Sequence, residues 1–212
     1  MRQVIWIEWI GLWGSGKSTV INKLKQDMKM EETRFHSTQD YFIKNRIKKI
    51  KTILRDPLTN TFLLSKLLFL LLPFFITAVF KIDKIAISEY RSFISCFLAR
   101  LSFKYSSHKS NVFWEGEMHL IPSIELNEKT INKVIDLLLS INQEVIHAVV
   151  VMNINEEIAF KRINADKQSK RNIRFNKGQK FNIERLRRFN LFQNSLIEVL
   201  KEKNIQILES DG

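Results

Sequence analysis

The chain has 212 residues, with 34 Lys+Arg against 22 Asp+Glu, a formal net charge of +12 and 45% hydrophobic residues. With 6 Gly and 3 Pro, this composition excludes a disordered chain, a collagen-like repeat and a Gly/Ser-rich linker, and the length suits one well-cored domain. Cys96, the single cysteine, allows no internal disulfide and builds no metal cluster with the 4 histidines. The chain therefore reads as intracellular, in a reducing compartment. Its positive balance points to anionic partners without choosing among nucleotide, nucleic acid and membrane surface.

In chain order, Val4–Ile10 is an apolar run rich in β-branched and aromatic residues, broken by Glu8, and predicts a buried strand. Arg2 ahead of this run gives it the look of a signal peptide, but Glu8 and the Gly-Ser-Gly-Lys-Ser that follows are wrong for one. Val20, Ile21, Leu24 and Met28 recur at helical spacing between Lys17 and Met30. Arg34–Thr38 predicts a strand, 41–103 a helical region, and Asn111–Trp114 a short strand. Ile131, Val134, Ile135 and Leu138 mark an amphipathic helix with Asn127 as its N-cap and Glu128 in its first turn. Val145–Val151 is a further strand, after which Asn155 caps a helix opening on Glu156 and Glu157. A polar, basic stretch spans Asp166–Lys180, followed by a helix from Ile183 to Lys203 and a last strand, Ile205–Leu208. Strands alternating with helices imply right-handed crossovers and a parallel sheet covered on both faces, a three-layer α/β domain.

Phe62–Phe80 is almost wholly apolar, but Lys66 splits it. The remaining Leu67–Phe80 covers about 21 Å as a helix, against a hydrocarbon core of about 30 Å. Pro73 is expected to kink or break it, and strands on both sides must share one sheet, which a single span would prevent. A pair of buried helices is the expectation. The alternative is a monotopic face, or a greasy pocket for a lipid-linked substrate. For that, Lys44, Arg46, Lys48, Lys49, Lys51 and Arg55 suit an anionic bilayer, giving a peripheral membrane contact through 44–80.

Gly11-Leu12-Trp13-Gly14-Ser15-Gly16-Lys17-Ser18, followed by Thr19, fits G-x-x-x-x-G-K-[ST] between a predicted strand and a predicted helix. Glycines let the backbone wrap a phosphate so that successive N–H groups and the helix N-terminus face the anion. Lys17 would reach the β/γ-phosphates and the Ser18 hydroxyl would ligate Mg²⁺. A small GTPase would carry Asn-Lys-x-Asp, and neither Asn22-Lys23-Leu24-Lys25 nor Asn176-Lys177-Gly178-Gln179 has the Asp. An ABC or motor ATPase core would normally be longer. A small kinase remains, which needs lid arginines to neutralise the transferred group.

On these pieces the chain resembles the nucleoside monophosphate kinase superfamily and is most similar to its thymidylate kinase-like branch. Gly11 and Gly14–Thr19 match the Walker A end, and Asn111–Glu115 looks like the third-strand segment with a carboxylate near Mg²⁺ and the acceptor. Val150–Arg162 resembles the approach to the lid, Arg171 and Arg174 fall at lid arginines, and Glu184–Phe189 looks like the Arg-plus-aromatic helix after it. The resemblance implies a five-stranded parallel sheet in the order 2-3-1-4-5. It also implies one domain over 1–212, with a helical acceptor-binding insertion at 41–103 and a basic lid at 163–182. The sequence also departs from the branch. Trp13 replaces the acidic residue before the second glycine, Glu115-Gly116 replaces Asp-Arg, and His36-Ser37-Thr38-Gln39-Asp40 stands where an Arg-Glu-Pro-like element is usual.

Glu115, at the ligand-binding edge of the sheet, is the candidate to hold Mg²⁺ through water or to orient the acceptor, with Glu117 its rival. His119 is read as solvated or structural. Arg162, Arg171 and Arg174 are candidate phosphoryl clamps, set against a merely solvated basic face. Lys167, Lys170, Lys177 and Lys180 are read as solvated. Arg91 is a candidate ligand for an acceptor phosphate, while Phe74–Phe75 and Phe93–Phe97 are read as core. The expectation is a cytoplasmic phosphotransferase that uses ATP or another nucleoside triphosphate with Mg²⁺ on an unidentified small-molecule acceptor. Two alternatives are a nucleotide-binding regulatory or assembly protein at the membrane, envelope- or polysaccharide-related and without turnover, and a polynucleotide 5′-kinase suggested by the charge. Nucleic acid is the least favoured partner.

Overall fold

The computed structural model describes residues 4–12, 14–27, 33–36, 54–103, 110–113, 117–141, 145–166 and 183–211. Strand β1 (Val4–Gly11) leads through a tight loop into α1 (Lys17–Asp27), and β2 is Thr33–His36. Two long helices follow, α2 (Pro57–Phe80) and α3 (Lys84–Phe103), before β3 (Ser110–Phe113). A short helix α4 (Glu117–Leu120) and a 3-10 turn (Pro122–Ile124) precede α5 (Glu128–Ile141). The chain continues through β4 (Val145–Asn153), α6 (Glu156–Asp166), α7 (Ile183–Glu202) and β5 (Gln206–Asp211).

All strand pairs are parallel, and the sheet order is β2-β3-β1-β4-β5. Side chains alternate across a strand, and β1 and β4 use both faces. Ile10, Val149 and Val151 join a large core with α2, α3, α5 and α7, whereas Trp9, Val150 and Met152 pack with Ile21 of α1. Such two-sided burial is why these strands are almost continuously apolar. The central place of β1 sets the loop after it in the middle of the sheet's C-terminal edge, where open α/β sheets bind ligands.

Local signals explain the helix starts. Asn127 Oδ1 accepts from Thr130 N–H at 2.9 Å, and Asn155 Oδ1 accepts from Glu157 N–H at 2.8 Å, each satisfying a first-turn donor. On α5, Ile131, Val134, Ile135, Leu137, Leu138 and Ile141 form one buried face. The strand expected at Arg34–Thr38 is described as Thr33–His36, residues 37 and 38 lying outside the described residues, as do 41–53 of the helical region.

The expected pair of buried helices at Phe62–Phe80 is corrected. Helix α2 is one 24-residue element that starts at Pro57, with Asp56 Oδ1 accepting from Thr59 N–H at 3.3 Å, and runs through Pro73 to Phe80. Its length is about 36 Å at 1.5 Å per residue. Proline removes one helical donor. Here the loss falls on an exposed residue, and Thr77 Oγ1 donates back to the Pro73 carbonyl at 2.9 Å. Only Asn60, Leu67, Leu71 and Ala78 of α2 are buried; Leu58, Phe69 and Phe80 are among the residues that face outward, Phe80 at 84% exposure. A single row of contacts with the core explains this, because residues at spacings of four and seven share one stripe.

Candidate nucleotide-binding site

The loop from Gly11 to Lys17 is shaped by what its glycines permit. Gly14 has φ +79°, and a Cβ there would stand 2.9 Å from the Ala159 carbonyl of α6. At Gly11 a Cβ would meet the Met152 carbonyl of β4 at 2.8 Å. Both positions therefore require glycine, one for conformation and space and the other for close approach to the neighbouring strand. Ser15 N–H donates to the Leu12 carbonyl at 3.1 Å, closing the turn, and α1 opens with Thr19 and Val20 N–H on the Gly16 carbonyl. A helix N-terminus carries N–H groups without intrahelical acceptors and the positive end of the dipole, so this turn is built to face an anion.

Lys17 lies across the loop. Its Nζ donates to the Gly11 carbonyl at 2.7 Å, the Leu12 carbonyl at 2.9 Å and Ser15 Oγ at 3.2 Å, and the residue is 8% exposed. A nearly buried ammonium held by main-chain oxygens is a point charge aimed at the cradle. Ser18 and Thr19 are exposed beside it. Arg162 of α6 is also exposed, and its Nη1 donates to the Gly14 carbonyl at 3.4 Å. Leu12 packs under the site with Ala159, Ile163, Leu186 and Phe189, which ties the loop to α6 and α7.

The structure thus brings together Gly11, Leu12, Gly14, Ser15, Gly16, Lys17, Ser18, Thr19 and Arg162. Arg91 is exposed on α3. Trp13, Glu115, Arg171, Arg174 and most of the expected lid, 167–182, lie outside the described residues. Residues 163–166, at the expected start of the lid, belong to α6.

Glu117 is engaged elsewhere. It is buried on α4, and both its oxygens accept from Arg100 of α3, Oε1 from Nε at 3.0 Å and Oε2 from Nη2 at 3.3 Å. Arg100 is 0% exposed and also pairs with Glu8 of β1. Glu8 Oε2 in turn accepts from Met118 N–H at 3.1 Å. Burial acts to lower the Arg100 pKa, but the charges of Glu117 and Glu8 outweigh it and leave the guanidinium more firmly protonated than usual. This ion triad ties α3 and α4 to the strand that carries the loop. Sequence reading missed it, though a signal was present: Glu8 and Arg100 are charges inside apolar runs, and buried charges need partners.

His119 was equally open to a solvated reading. It is buried, with its ring 5.7 Å from that of Phe189, and burial first, then the positive charge of Lys17, pushes its pKa well below the usual histidine value. A neutral imidazole near the Lys17 ammonium is the consequence.

Among the described residues no group of three or more His, Cys, Asp or Glu could hold a metal. Mg²⁺ in phosphate sites keeps several waters and takes phosphate oxygens beside one or two protein ligands, so the exposed Ser18 hydroxyl beside the cradle fits that role. The two crowded glycines let the loop pack closely on β4 and α6. The fit to a polyphosphate rests on the N–H groups at the start of α1, which have no intrahelical acceptors, and on the Lys17 ammonium beside them.

A family model described as the KAP family P-loop domain matches residues 3–187. A solved structure of deoxyadenosine kinase from M. mycoides with bound dATP has a TM-score of 0.53 and 11% identity, covering 98% of this chain and 90% of that one. That degree of likeness shows a shared fold. Among curated proteins nothing matches the chain.

Proposed function

Because the chain belongs to the KAP family of P-loop domains, we propose that it binds ATP or another nucleoside triphosphate and moves the terminal phosphoryl group to a small-molecule acceptor. The observation that carries this reading is Lys17, nearly buried and held by the carbonyls of Gly11 and Leu12 at the head of the central strand. On nucleotide binding its Nζ exchanges carbonyl partners for phosphate oxygens, and the first-turn N–H groups of α1 face the same anion. Catalysis is then mostly positioning and electrostatic stabilisation. Ser18 would hold Mg²⁺, which supplies charge neutralisation when bound. Arg162, already against the Gly14 carbonyl, clamps phosphoryl oxygens, with Arg171 and Arg174 assigned to the same task and Glu115 to orienting the metal or the acceptor. The thymidylate kinase-like resemblance supports an acceptor site on the β3 side, near Arg91.

A second reading concerns place. Helix α2 is long and apolar enough to cross a membrane, yet only 17% of its apolar window is buried. Strands β2 and β3, on either side of it in sequence, pair directly, and Phe93, Phe97 and Leu101 of α3 sit in the core, so α3 is not free to return across a bilayer. The pairing of β2 with β3 and the burial of α3 support a reading in which α2 lies in a membrane surface and does not cross it; a cytoplasmic location, and a contribution of the basic residues at 44–55 of the sequence to anionic headgroup binding, belong to the same proposal. A lipid-linked alcohol as acceptor, or a regulatory role there, follows from this placement.

The test is a Mg²⁺-dependent hydrolysis and transfer assay with γ-labelled nucleotide against nucleoside monophosphates, sugars and lipid-linked alcohols, with and without anionic liposomes. Lys17→Ala should lower turnover by about 100-fold or more, with an unchanged circular dichroism spectrum. Undiminished turnover in that variant defeats the assignment.

A further inference from the structure

Helix α2 ends in a turn whose geometry asks for glycine. Ile82 N–H donates to the Val79 carbonyl at 3.0 Å, and Asp83 N–H reaches back to the Ala78 carbonyl at 2.9 Å. This pair of bonds closes a helix over one residue in the left-handed conformation, a place that glycine usually takes. Here the residue is Ile82, at φ +54°, and a β-branched side chain in that region is a genuine outlier. Its side chain is 69% exposed, and Phe80, Lys81 and Lys84 around it are exposed as well. Strain of this kind collects at binding and switching sites. The tip of the α2–α3 hairpin thus holds two large apolar side chains out into solvent between two ammonium groups. That combination complements an anionic bilayer surface.

Asp83 ties the tip to the nucleotide site. Its Oδ1 accepts from Ala86 N–H at 2.9 Å, capping α3, and Oδ2 and Oδ1 accept from Arg185 Nη1 at 3.0 and 3.3 Å. Arg185 lies in the first turn of α7. The next residue, Leu186, is fully buried in the cluster that contains Leu12 of the phosphate loop. The Leu12 carbonyl is one of the groups that hold Lys17 Nζ. Bonds and packing contacts therefore run continuously from Ile82 to Lys17.

Resting on the reading of α2 as a membrane-surface helix, we propose that the α2–α3 tip is an anionic-lipid contact, and that lipid and nucleotide bind the chain cooperatively through the Asp83–Arg185 pair. Phe80 and Ile82 enter the interfacial zone of the bilayer, while Lys81 and Lys84 meet anionic headgroups. A bilayer over the tip keeps water from the ion pair, and a pair already formed attracts more strongly in a less polar surrounding. This holds the start of α7, and with it the Leu186–Leu12 contact, in the arrangement that shapes the loop for phosphate. By linkage, nucleotide tightens lipid binding by the same factor.

The test titrates fluorescent N-methylanthraniloyl-ATP with Mg²⁺ into the full chain, alone and with vesicles of phosphatidylcholine or of phosphatidylcholine with phosphatidylserine. Sedimentation measures vesicle binding in parallel. The wild type should sediment far better with the serine lipid, and those vesicles should tighten nucleotide binding by about fivefold or more, the usual range for coupled sites. A double variant, Phe80→Ser with Ile82→Asn, should lose about tenfold or more in vesicle binding. Asparagine is at ease at positive φ, and nucleotide affinity without vesicles should stay that of the wild type. Asp83→Asn keeps a capping oxygen for α3 but not the charge; it should still sediment, with the vesicle effect on nucleotide gone. If Asp83→Asn does not fold, Arg185→Gln decides.

Nucleotide affinity unmoved by vesicles, or coupling that survives loss of the ion pair, overturns the link and leaves the membrane reading of α2 standing. Sedimentation indifferent to the serine lipid or undiminished in the double variant overturns the tip as an anionic-lipid contact. So does self-association that the double variant abolishes, which would give the surface to a second copy of the chain. No vesicle binding by the wild type overturns the membrane reading and this proposal with it; no nucleotide binding overturns the phosphate-loop reading and this proposal with it.

Discussion

Helices α2 and α3 are neighbours in sequence and in space, and they invert the usual relation between hydropathy and burial. Helix α2 is the more apolar, yet turns Phe69 (79% exposed) and Phe80 outward. Helix α3 carries Arg100, yet buries that residue completely beside Phe93 and Phe97. The apolar content of a segment states what it tolerates; partners decide where it lies. Arg100 is accepted into the core because two carboxylates wait for it on β1 and α4. The outer face of α2 meets no such partner among the described residues, so its Leu58, Phe69 and Phe80 stay exposed.

The comparison breaks most sharply at Arg100. Arg100→Met leaves Glu8 and Glu117 buried and facing each other, and should cost about 3–5 kcal/mol of stability by urea denaturation, the range for removing one partner of a buried pair. A near-neutral result would show that the triad does not hold α3 in place. On α2 the inner row should matter and the outer should not. Leu71→Ala, at 2% exposure, should cost about 2–5 kcal/mol as a cavity.

His119 sharpens the same contrast on the α4 side. Its folded pKa is depressed, so below the usual histidine value of about 6.5 the unfolded chain takes up a proton that the folded chain refuses. Its contribution to stability is present at higher pH and is lost as pH falls through that value, by at most about 1.4 kcal/mol per pH unit. Denaturation at several pH values should therefore show a steeper acid loss in the wild type than in His119→Gln; equal slopes would mean that the histidine protonates freely in the fold. A smaller effect is expected at the start of α2, where Asp56→Ala removes a cap worth about 1 kcal/mol. The smallest is Phe69→Ala, within about 0.5 kcal/mol in stability as an exposed substitution, yet it should reduce sedimentation with anionic liposomes. Unchanged liposome binding would remove the membrane reading of α2.

The α/β class and the phosphate loop were legible because their signals are local. Strand, Gly-rich turn and helix follow one another in Val4–Asp27, and Asn127 and Asn155 sit beside the donors they cap. The buried triad was not legible as a triad, since Glu8 is 92 residues from its partner and only the fold brings them together. For α2 the error had a physical source. Lys66 and Pro73 were read as interruptions, but a lysine on an exposed face and a proline with a solvent-side gap both fit in a continuous helix.

The central claim is that the Gly11–Ser18 turn cradles a polyphosphate with Lys17 closing it. Isothermal calorimetry of Mg²⁺–nucleoside triphosphate into the full chain tests this most directly. Saturable uptake of one nucleotide per chain, abolished in a folded Lys17→Ala variant, is the predicted result. No uptake by the wild type, or equal uptake by the variant, would contradict it.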